Sequence, residues 1–352
     1  MKTPQTIARL SSIAVLAAMT ATQGAEVDAP YFLKFSVYEN LPGINIADLF
    51  AGSFPDNPDQ VHYLSSFDTR SVFSDNSLDN YGASIEGWIT PPETGSYEFF
   101  MRSDDAGELW LSQDESESNL RLIAEELDCC DPFQEPDTGD LTTSLPISLQ
   151  AGKSYFVSLI YKEGSGGDYA QVAWRKVGDP TPAALLTPIS GSFLSTKTTT
   201  SGNEAIDIIT QPSSLSGVEN DPVVLSIDFE ASPADYVTVQ WLKDGTPIPG
   251  AMGAQYELDG LSMKDHGAKI SALVAIPGQS LESEQATLSV TPDTTPPALL
   301  HAKGVPNKPE VTLSFSERMD IASATQRNNY TITHASGTLN VVGASIDRKS
   351  VV

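Results

Sequence analysis

The most regular hydrophobic pattern of the chain lies at residues 95–112, which read GSYEFFMRSDDAGELWLS. In its first half, Tyr97, Phe99 and Met101 fall on one face of an extended chain, and the alternate residues fall on the other. This alternation predicts a strand with one buried face. The pattern breaks at residues 103–107 (SDDAG) and then resumes, so the segment is predicted to form two strands joined by a turn.

The flanking sequence carries further short alternations separated by turn residues. Residues 45–50 are predicted to form one helical turn. Strands are predicted at 83–90, 120–124, 145–149, 154–162 and 169–175, with Gly and Pro between them. Short strands at this spacing predict an all-β sandwich or barrel.

Two adjacent carboxylates, Asp104 and Asp105, lie at the turn inside residues 95–112. Their charges repel each other, so both must sit in water or beside a group that offsets the repulsion. A bound calcium ion would offset it, because calcium prefers clustered carboxylate and carbonyl oxygens. The alternative is turn chemistry alone, since Asp and Gly adopt the backbone angles that turns require. These residues by themselves favour the turn.

Composition and the N-terminal sequence indicate the number of domains, the partners to exclude and the location of the protein. The chain has 352 residues, a length typical of two or three domains. Its 46 Asp and Glu against 20 Lys and Arg give a formal charge of −26, which argues against nucleic acid and anionic membranes as partners. Residues 1–25 have the arrangement of a secretory signal peptide, with an apolar core at 10–21 that is too short to span a bilayer. We expect a secreted or cell-surface protein without a membrane-spanning segment in the visible chain.

The chain has two cysteines, Cys129 and Cys130, and they are adjacent. A framework of long-range disulfides within the chain is therefore excluded. The pair either closes a small disulfide ring in an oxidising compartment or binds a soft metal. No histidine lies near it in the sequence, so a structural pair in a loop is the preferred interpretation.

Several motifs follow one another in a fixed order. They are a Pro-x-x-Thr-Gly-x-Tyr turn at residues 91–97, the Ser-Asp-Asp element at 103–105, and a Gly-Lys-x-Tyr strand at 152–155, followed by an aromatic strand that ends in AQVAWRK. In this order they resemble the PA14 domain, and the resemblance covers residues 30–194. It implies a β-sandwich of jelly-roll or barrel type.

The resemblance also implies a site. In sugar-binding PA14 domains two adjacent aspartates hold a calcium ion, the ion holds carbohydrate hydroxyls, and a later loop completes the site. Carried over, the ligand and metal residues are Asp104 and Asp105 together with Asp168 of the loop at 163–168 (EGSGGD). Sugar-binding members usually offer Asn where this loop offers Asp. The expected cofactor is calcium, and the expected partner is a carbohydrate or cell-surface glycan.

The remaining sequence is predicted to form spacer modules. Residues 195–207 are Ser/Thr-rich and are predicted to be a linker. Residues 208–292 resemble a bacterial immunoglobulin-like domain with Trp241 as its core tryptophan, although Ile227 and Ser271 stand at the usual disulfide positions. Residues 297–352 resemble part of a further immunoglobulin-like module of the bacterial surface-protein type. Because that module stops inside a predicted strand, we expect the sequence to be a fragment or truncated product.

No catalytic constellation is recognisable in the sequence, whether an HExxH motif, a Gly-x-Ser-x-Gly elbow or a phosphate-binding loop. The favoured hypothesis is a secreted, non-catalytic modular binding or adhesion protein whose PA14-like domain binds carbohydrate. A second hypothesis is the N-terminal, non-catalytic part of a large extracellular carbohydrate-active enzyme, with a catalytic domain beyond residue 352. A third is a purely structural surface protein.

Overall fold

The computed structural model describes residues 24–127, 129–136, 141–304, 308–317, 319–334 and 337–346. The predicted signal peptide lies outside the described residues except for its last two positions. The described part is almost entirely β, which confirms the predicted fold class. By compactness the chain divides into two units. The first holds the described residues up to 208 with 229–240 and 273–281, and the second holds the rest.

The first unit contains a sandwich built from eleven strands. They are β1 (Glu26–Pro30), β2 (Leu33–Tyr38), β3 (Gln60–Leu64), β4 (Tyr81–Ile89), β5 (Gly95–Asp104), β6 (Gly107–Leu111), β7 (Arg121–Glu126), β8 (Ile147–Leu149), β9 (Tyr155–Glu163), β10 (Tyr169–Lys176) and β11 (Leu194–Thr199). The predicted helical turn is present as α1 (Ile46–Leu49).

These strands form two antiparallel sheets. The large sheet has the order β1-β11-β4-β9-β6-β7, and β2 joins β4 to β3. Strand β4 is its centre, because β9 pairs with its whole length on one side and β2 and β11 share the other side. The small sheet has the order β10-β5-β8.

The core lies between the two sheets. On β5 the predicted inner face is confirmed, since Tyr97, Phe99 and Met101 are buried in one cluster with residues of the large sheet such as Ile85 and Leu159. The outer face of β5 is covered separately, by packing of Phe100 against the loop before β8 and the segment after β10. The strand is therefore buried on both faces, which holds its C-terminal end, with Asp104, in a fixed position.

The predicted linker at 195–207 is wrong in its first part. Strand β1 pairs along its whole length with β11, so both belong to the large sheet, although the predicted limits of 30 and 194 include only one residue of each. The polar composition concealed a period of two, in which Thr196 and Thr198 are buried and Lys197 is exposed. Threonine is β-branched and suits a strand, so a Ser/Thr-rich run can form a strand without apolar residues.

The following strands are β12 (Ala205–Thr210), β13 (Leu215–Val218), β14 (Val223–Ser226), β15 (Asp228–Ser232), β16 (Thr238–Lys243), β17 (Thr246–Met252), β18 (Gln255–Leu258), β19 (Lys269–Ile276), β20 (Gln279–Glu282) and β21 (Ala286–Thr291). Six of them form one sheet in the order β13-β21-β19-β16-β17, with β20 on β19, while β14 pairs with β18. Trp241 is fully buried, as predicted, and its Nε1 donates to the carbonyl of Gly253 at 2.9 Å. The immunoglobulin-like assignment stays a prediction.

The last described segment contains two hairpins and a helical turn. Strands β22 (Leu299–Gly304) and β23 (Val311–Phe315) pair, as do β24 (Ile332–His334) and β25 (Gly337–Leu339). The turn α2 (Ile321–Ala324) is capped by the Asp320 carboxylate. No helix among the described residues is long and apolar enough to cross a membrane.

Two leucines provide a test of the sandwich core. Leu159 on β9 is fully buried, whereas Leu145 is 84% exposed. We expect Leu159→Ala to lower the free energy of unfolding by about 2–5 kcal/mol, because it removes buried methyl groups and leaves a cavity. Urea denaturation followed by tryptophan fluorescence measures the change. Leu145→Ala is the matched control and should alter the value by less than about 0.5 kcal/mol; equal losses would contradict the described core.

Candidate functional site

The chain crosses between the two sheets twice at the same end of the sandwich. The first crossing is the turn from β5 to β6, which contains Asp104 and Asp105. The second is the loop from β9 to β10, which starts at Glu163 and reaches Tyr169. Tyr169 pairs directly with Asp104, and Lys162 of β9 exchanges backbone hydrogen bonds with the first turn. The two crossings therefore lie side by side, which brings carboxylates from distant positions of the chain together.

The first crossing is held by its backbone. The amide of Asp105 donates to the carbonyl of Lys162 at 2.9 Å, and the amide of Lys162 donates to the carbonyl of Ala106 at 2.9 Å. The hydroxyl of Ser103 donates to the carbonyl of Asp105 at 2.8 Å. The peptide bond between Asp104 and Asp105 is cis. These contacts fix the position of both aspartates relative to β9.

The glycines of the second crossing lie close to the two aspartate side chains. The amide of Gly164 donates to Asp105 Oδ2 at 3.0 Å, and the amide of Gly167 donates to the Asp104 carboxylate. A Cβ atom at Gly167 would overlap Asp104 Oδ2, so a side chain there would displace that carboxylate. Gly166 adopts a φ of 127°, which side chains disfavour. Glycine at positions 166 and 167 thus suits the close approach of this loop to the aspartates.

Three carboxylates meet at this junction. Ligand oxygens of Asp104, Asp105 and Glu163 all lie within 4.8 Å of one another. Calcium binds oxygens at about 2.3–2.6 Å, so oxygens up to about twice that distance apart can share one ion. Glu163 has no exposed surface, and neither of its carboxylate oxygens has a hydrogen-bond partner in the part of the chain that the structure describes. Buried polar groups are otherwise nearly always hydrogen-bonded.

The electrostatics of the group follow from burial and mutual repulsion. Burial, reinforced by the carboxylates of Asp105 and Asp104, raises the pKa of Glu163 to about 8. Burial also raises the pKa of Asp104, and the neighbouring Asp105 adds to this effect, while the Gly167 amide opposes it. The fold therefore holds carboxylates together under conditions that disfavour their charged forms.

One internal cation lies beside the group, but its hydrogen bonds go elsewhere. Lys162 is fully buried, and its Nζ donates to the carbonyl oxygens of Gly43 and Glu163, each at 2.7 Å. Burial lowers the pKa of Lys162. A single ammonium does not balance three carboxylates. The all-oxygen donor set, its spacing and its excess negative charge fit a hard divalent cation such as calcium.

The predicted site residues have different outcomes. Asp104 and Asp105 are brought together, whereas Asp168 is not in the group of three. Its side chain is buried, and its Oδ2 accepts a hydrogen bond from the amide of Leu78 at 3.0 Å. Its charge is close enough to raise the pKa of Asp104 and of Glu163. Asp168 therefore stays a predicted ligand that this geometry places beside the group.

Sequence analysis identified the loop but missed Glu163. Every residue of β9 is buried, and the strand ends in the adjacent charged pair Lys162 and Glu163. Charged residues are rarely buried unless they are paired or bind metal. The adjacent charged residues at the end of this alternating strand were the feature of the sequence that could have identified Glu163.

The two cysteines form a disulfide with each other. Both are exposed, and Cys129 lies opposite Asp104 in an isolated bridge between the two backbones. Of the two alternatives, the small ring is the one present. The sulfur atoms are close to the Asp104 carboxylate, but sulfurs joined in a disulfide are not thiolate ligands.

Part of the chain matches the model of a known domain family. Residues 64–183 match the family model of the PA14 domain. The match includes Asp104, Asp105, Glu163 and Asp168, so all the residues of the candidate site lie inside it. Strands β1, β2 and β11 lie outside the match, although they belong to the same sheet.

Individual proteins are similar to parts of the chain. The N-acetyl-beta-glucosaminyl-glycoprotein 4-beta-N-acetylgalactosaminyltransferase 1 of Mus musculus is 35% identical over 102 residues, which are 27% of this chain and 10% of that protein. The chain thus spans about a tenth of the length of this curated relative.

Two solved structures are similar to parts of the chain. The PA14 domain of the MpAFP antifreeze protein is 17% identical and covers 54% of this chain and 96% of its own, with a TM-score of 0.35. The epithelial adhesin 9 A domain of Candida glabrata, solved in complex with Galβ1-3GlcNAc, is 12% identical and covers 48% of this chain and 95% of its own, with a TM-score of 0.31.

The raised pKa of Glu163 predicts a pH dependence for the metal-free protein. The unfolded chain releases this proton near the ordinary pKa of 4.5, whereas the folded chain retains it up to about pH 8. A carboxyl group with a raised pKa in the fold destabilises the fold as pH increases through that window. We expect the urea midpoint in EDTA to fall between pH 5 and pH 8, and Glu163→Gln to reduce the slope. Glu117→Gln, at an exposed position, is the control. The same slope in wild type and Glu163→Gln would contradict the described environment.

Proposed function

We propose that the PA14 domain is a calcium-dependent carbohydrate-binding module of a secreted or cell-surface protein. The observation that carries the proposal is the buried Glu163 carboxylate, which faces Asp104 and Asp105 and has no hydrogen-bond partner among the described residues. Leaving such a group without a partner costs about 1–3 kcal/mol or more. A divalent cation held by these three side chains would remove that cost and the mutual repulsion.

The chain's own residues prepare the donor set. The amides of Gly164 and Gly167 donate hydrogen bonds that orient the two aspartate side chains. The pairing of β5 with β10 fixes the backbone at Asp104. Glu163 is presented from the opposite sheet. A bound calcium ion supplies open coordination positions, which vicinal sugar hydroxyls can fill. Asp168 is available as a further acidic group of the same loop.

One relative supports a role that involves glycans. The match to the mouse transferase, whose name describes work on glycoprotein sugars, covers a tenth of that enzyme. The matched stretch is thus small enough to be an accessory module. We propose that the described residues of this chain form a binding module, since the side chains of the candidate site are carboxylates spaced as ligands of one metal ion.

A second candidate function is a structural calcium clamp. Asp104 and Asp105 already accept hydrogen bonds from the amides of the loop that covers them. A cation in the same position would then fasten the loop between β9 and β10 and stabilise the domain without binding a sugar. The two functions share the metal and differ in whether a glycan binds.

Calcium should stabilise the protein in a manner that depends on Glu163. At a hundredfold excess over Kd, a cation that binds the native state alone adds about 2.7 kcal/mol. In a unit of this size that corresponds to a rise in Tm of roughly 5–10 °C. We expect this rise in wild type and in Glu117→Gln, and its loss in Glu163→Gln. Differential scanning calorimetry after EDTA treatment measures it. An unchanged Tm of the wild type at millimolar calcium would reject the metal site.

Glycan binding distinguishes the two candidate functions. We expect the wild type to bind members of a printed glycan array in calcium and to lose this binding in EDTA. Asp104→Asn and Asp105→Asn should bind at least about tenfold more weakly, because each removes a charged ligand of the cation. Calcium stabilisation without any calcium-dependent glycan binding would favour the structural clamp and reject the lectin function.

A further inference from the structure

Two arginines stand beside the candidate site, on the side of the small sheet. Arg102 lies on β5, two residues before Asp104, and Arg70 lies in a short 3₁₀ turn, Thr69–Ser71. That turn is attached to β10, because the amide of Ala170 donates to the hydroxyl of Thr69 at 2.9 Å. Both guanidinium groups lie over the ring of Tyr169, at 4.8 Å for Arg70 and 5.5 Å for Arg102. Tyr169 is the residue that pairs with Asp104.

The stack gives the arginines fixed positions. Arg102 also lies 5.1 Å from the ring of Phe133, and its Nε donates to the side chain of Gln171. Contact between a guanidinium group and an aromatic face is favourable by about 0.5–2 kcal/mol and leaves the outward N–H groups available. Tyr169 itself is buried, so it provides a rigid support.

Neither arginine forms an ion pair with an Asp or Glu within the described ranges. This is unusual in a chain with 46 acidic and 20 basic residues, where carboxylate partners are abundant. By contrast, Arg175 on the same sheet pairs with both Glu98 and Glu135 at 2.9 Å. The charge of Arg70 lowers the pKa of Asp104, but as the weakest of several effects on that group. The positive charge of Arg70 therefore acts on the candidate site.

We propose that the natural ligand of the site is an acidic saccharide, a sugar that carries a carboxylate, and that Arg70 and Arg102 bind this carboxylate. The inference rests on the proposed calcium-dependent function and specifies its ligand class. Three carboxylates around a divalent cation leave a net charge of −1, which disfavours an anionic sugar unless positive groups lie nearby. The two guanidinium groups provide that charge, and their planar N–H donors match a carboxylate in geometry.

The test uses matched pairs of sugars. Methyl galactoside and methyl galacturonide differ at C6, where a hydroxymethyl group is replaced by a carboxylate, and methyl glucoside and methyl glucuronide form a second pair. Isothermal titration calorimetry in saturating calcium gives the four affinities. We expect the wild type to prefer the acidic member of at least one pair by about tenfold or more, as hydrogen bonds between charged groups predict.

Substitutions locate the source of the preference. Arg70→Gln and Arg102→Gln should each lose most of the preference while they retain the calcium midpoint and the affinity for the neutral sugar. Arg121→Gln, at an exposed position where β7 begins, makes the same charge change in the same domain and should keep the preference.

The outcomes separate this inference from the proposed function. Equal binding of neutral and acidic sugars would overturn the inference and leave calcium-dependent carbohydrate binding intact. A preference that survives in both arginine variants would also overturn it. If none of the four sugars binds the calcium-loaded wild type, the inference fails, and the glycan array decides separately whether the domain binds carbohydrate.

Discussion

The repulsion between carboxylates that the fold places within 4.8 Å of one another is the constraint on which the site depends. Asp104 and Asp105 lie in one crossing between the sheets, and Glu163 lies at the start of the other. Backbone contacts hold all three residues in position. A fold that brings three acids together without neutralising them loses stability as they ionise. The arrangement is therefore understandable if a cation occupies it. The pKa of Glu163 is raised because the side chain is buried and the neighbouring carboxylates repel its charged form.

The sandwich supplies the rigidity that such a site needs. Strand β5 is buried on both faces, and every residue of β9 is buried, so the ends of both strands are fixed by packing. Ligands on strand ends are held more precisely than ligands on free loops. The loop between β9 and β10 adds glycines, which allow its amides to approach the aspartates. The neighbouring Arg70 and Arg102 are held in the same way, by contact with the buried Tyr169. Tyr169 thus contacts both arginines and also pairs with Asp104.

The sequence-based predictions succeeded where one face of a strand is apolar. The strands from residue 83 to 176 and the helical turn near residue 46 are present close to their predicted positions. They failed where polar residues form a strand. Strand β11 is built on alternating threonines, and its pairing partner β1 lies about 170 residues away, so no local pattern indicated that the two belong to the sheet. The predicted ligand set stays a prediction: the structure brings Asp104 and Asp105 together with Glu163, at the start of the predicted loop, and leaves Asp168 beside that group.

The sequence alone determined the alternating strands, the Asp-Asp turn and the glycine-rich loop, because these depend on local backbone preferences and on period-two burial. The tertiary structure decided which acid completes the group, because Glu163 and Asp168 are both acids of one loop and differ in direction. Glu163 ends the buried strand β9 and faces the aspartates, whereas Asp168 turns toward the amide of Leu78. The position of Arg102 on Tyr169 was likewise decided by strand register, which pairs residues more than sixty positions apart, and Arg70 contacts the same ring from the turn attached to β10. Such distances between residues follow from how the two sheets pack, and no local pattern contains them.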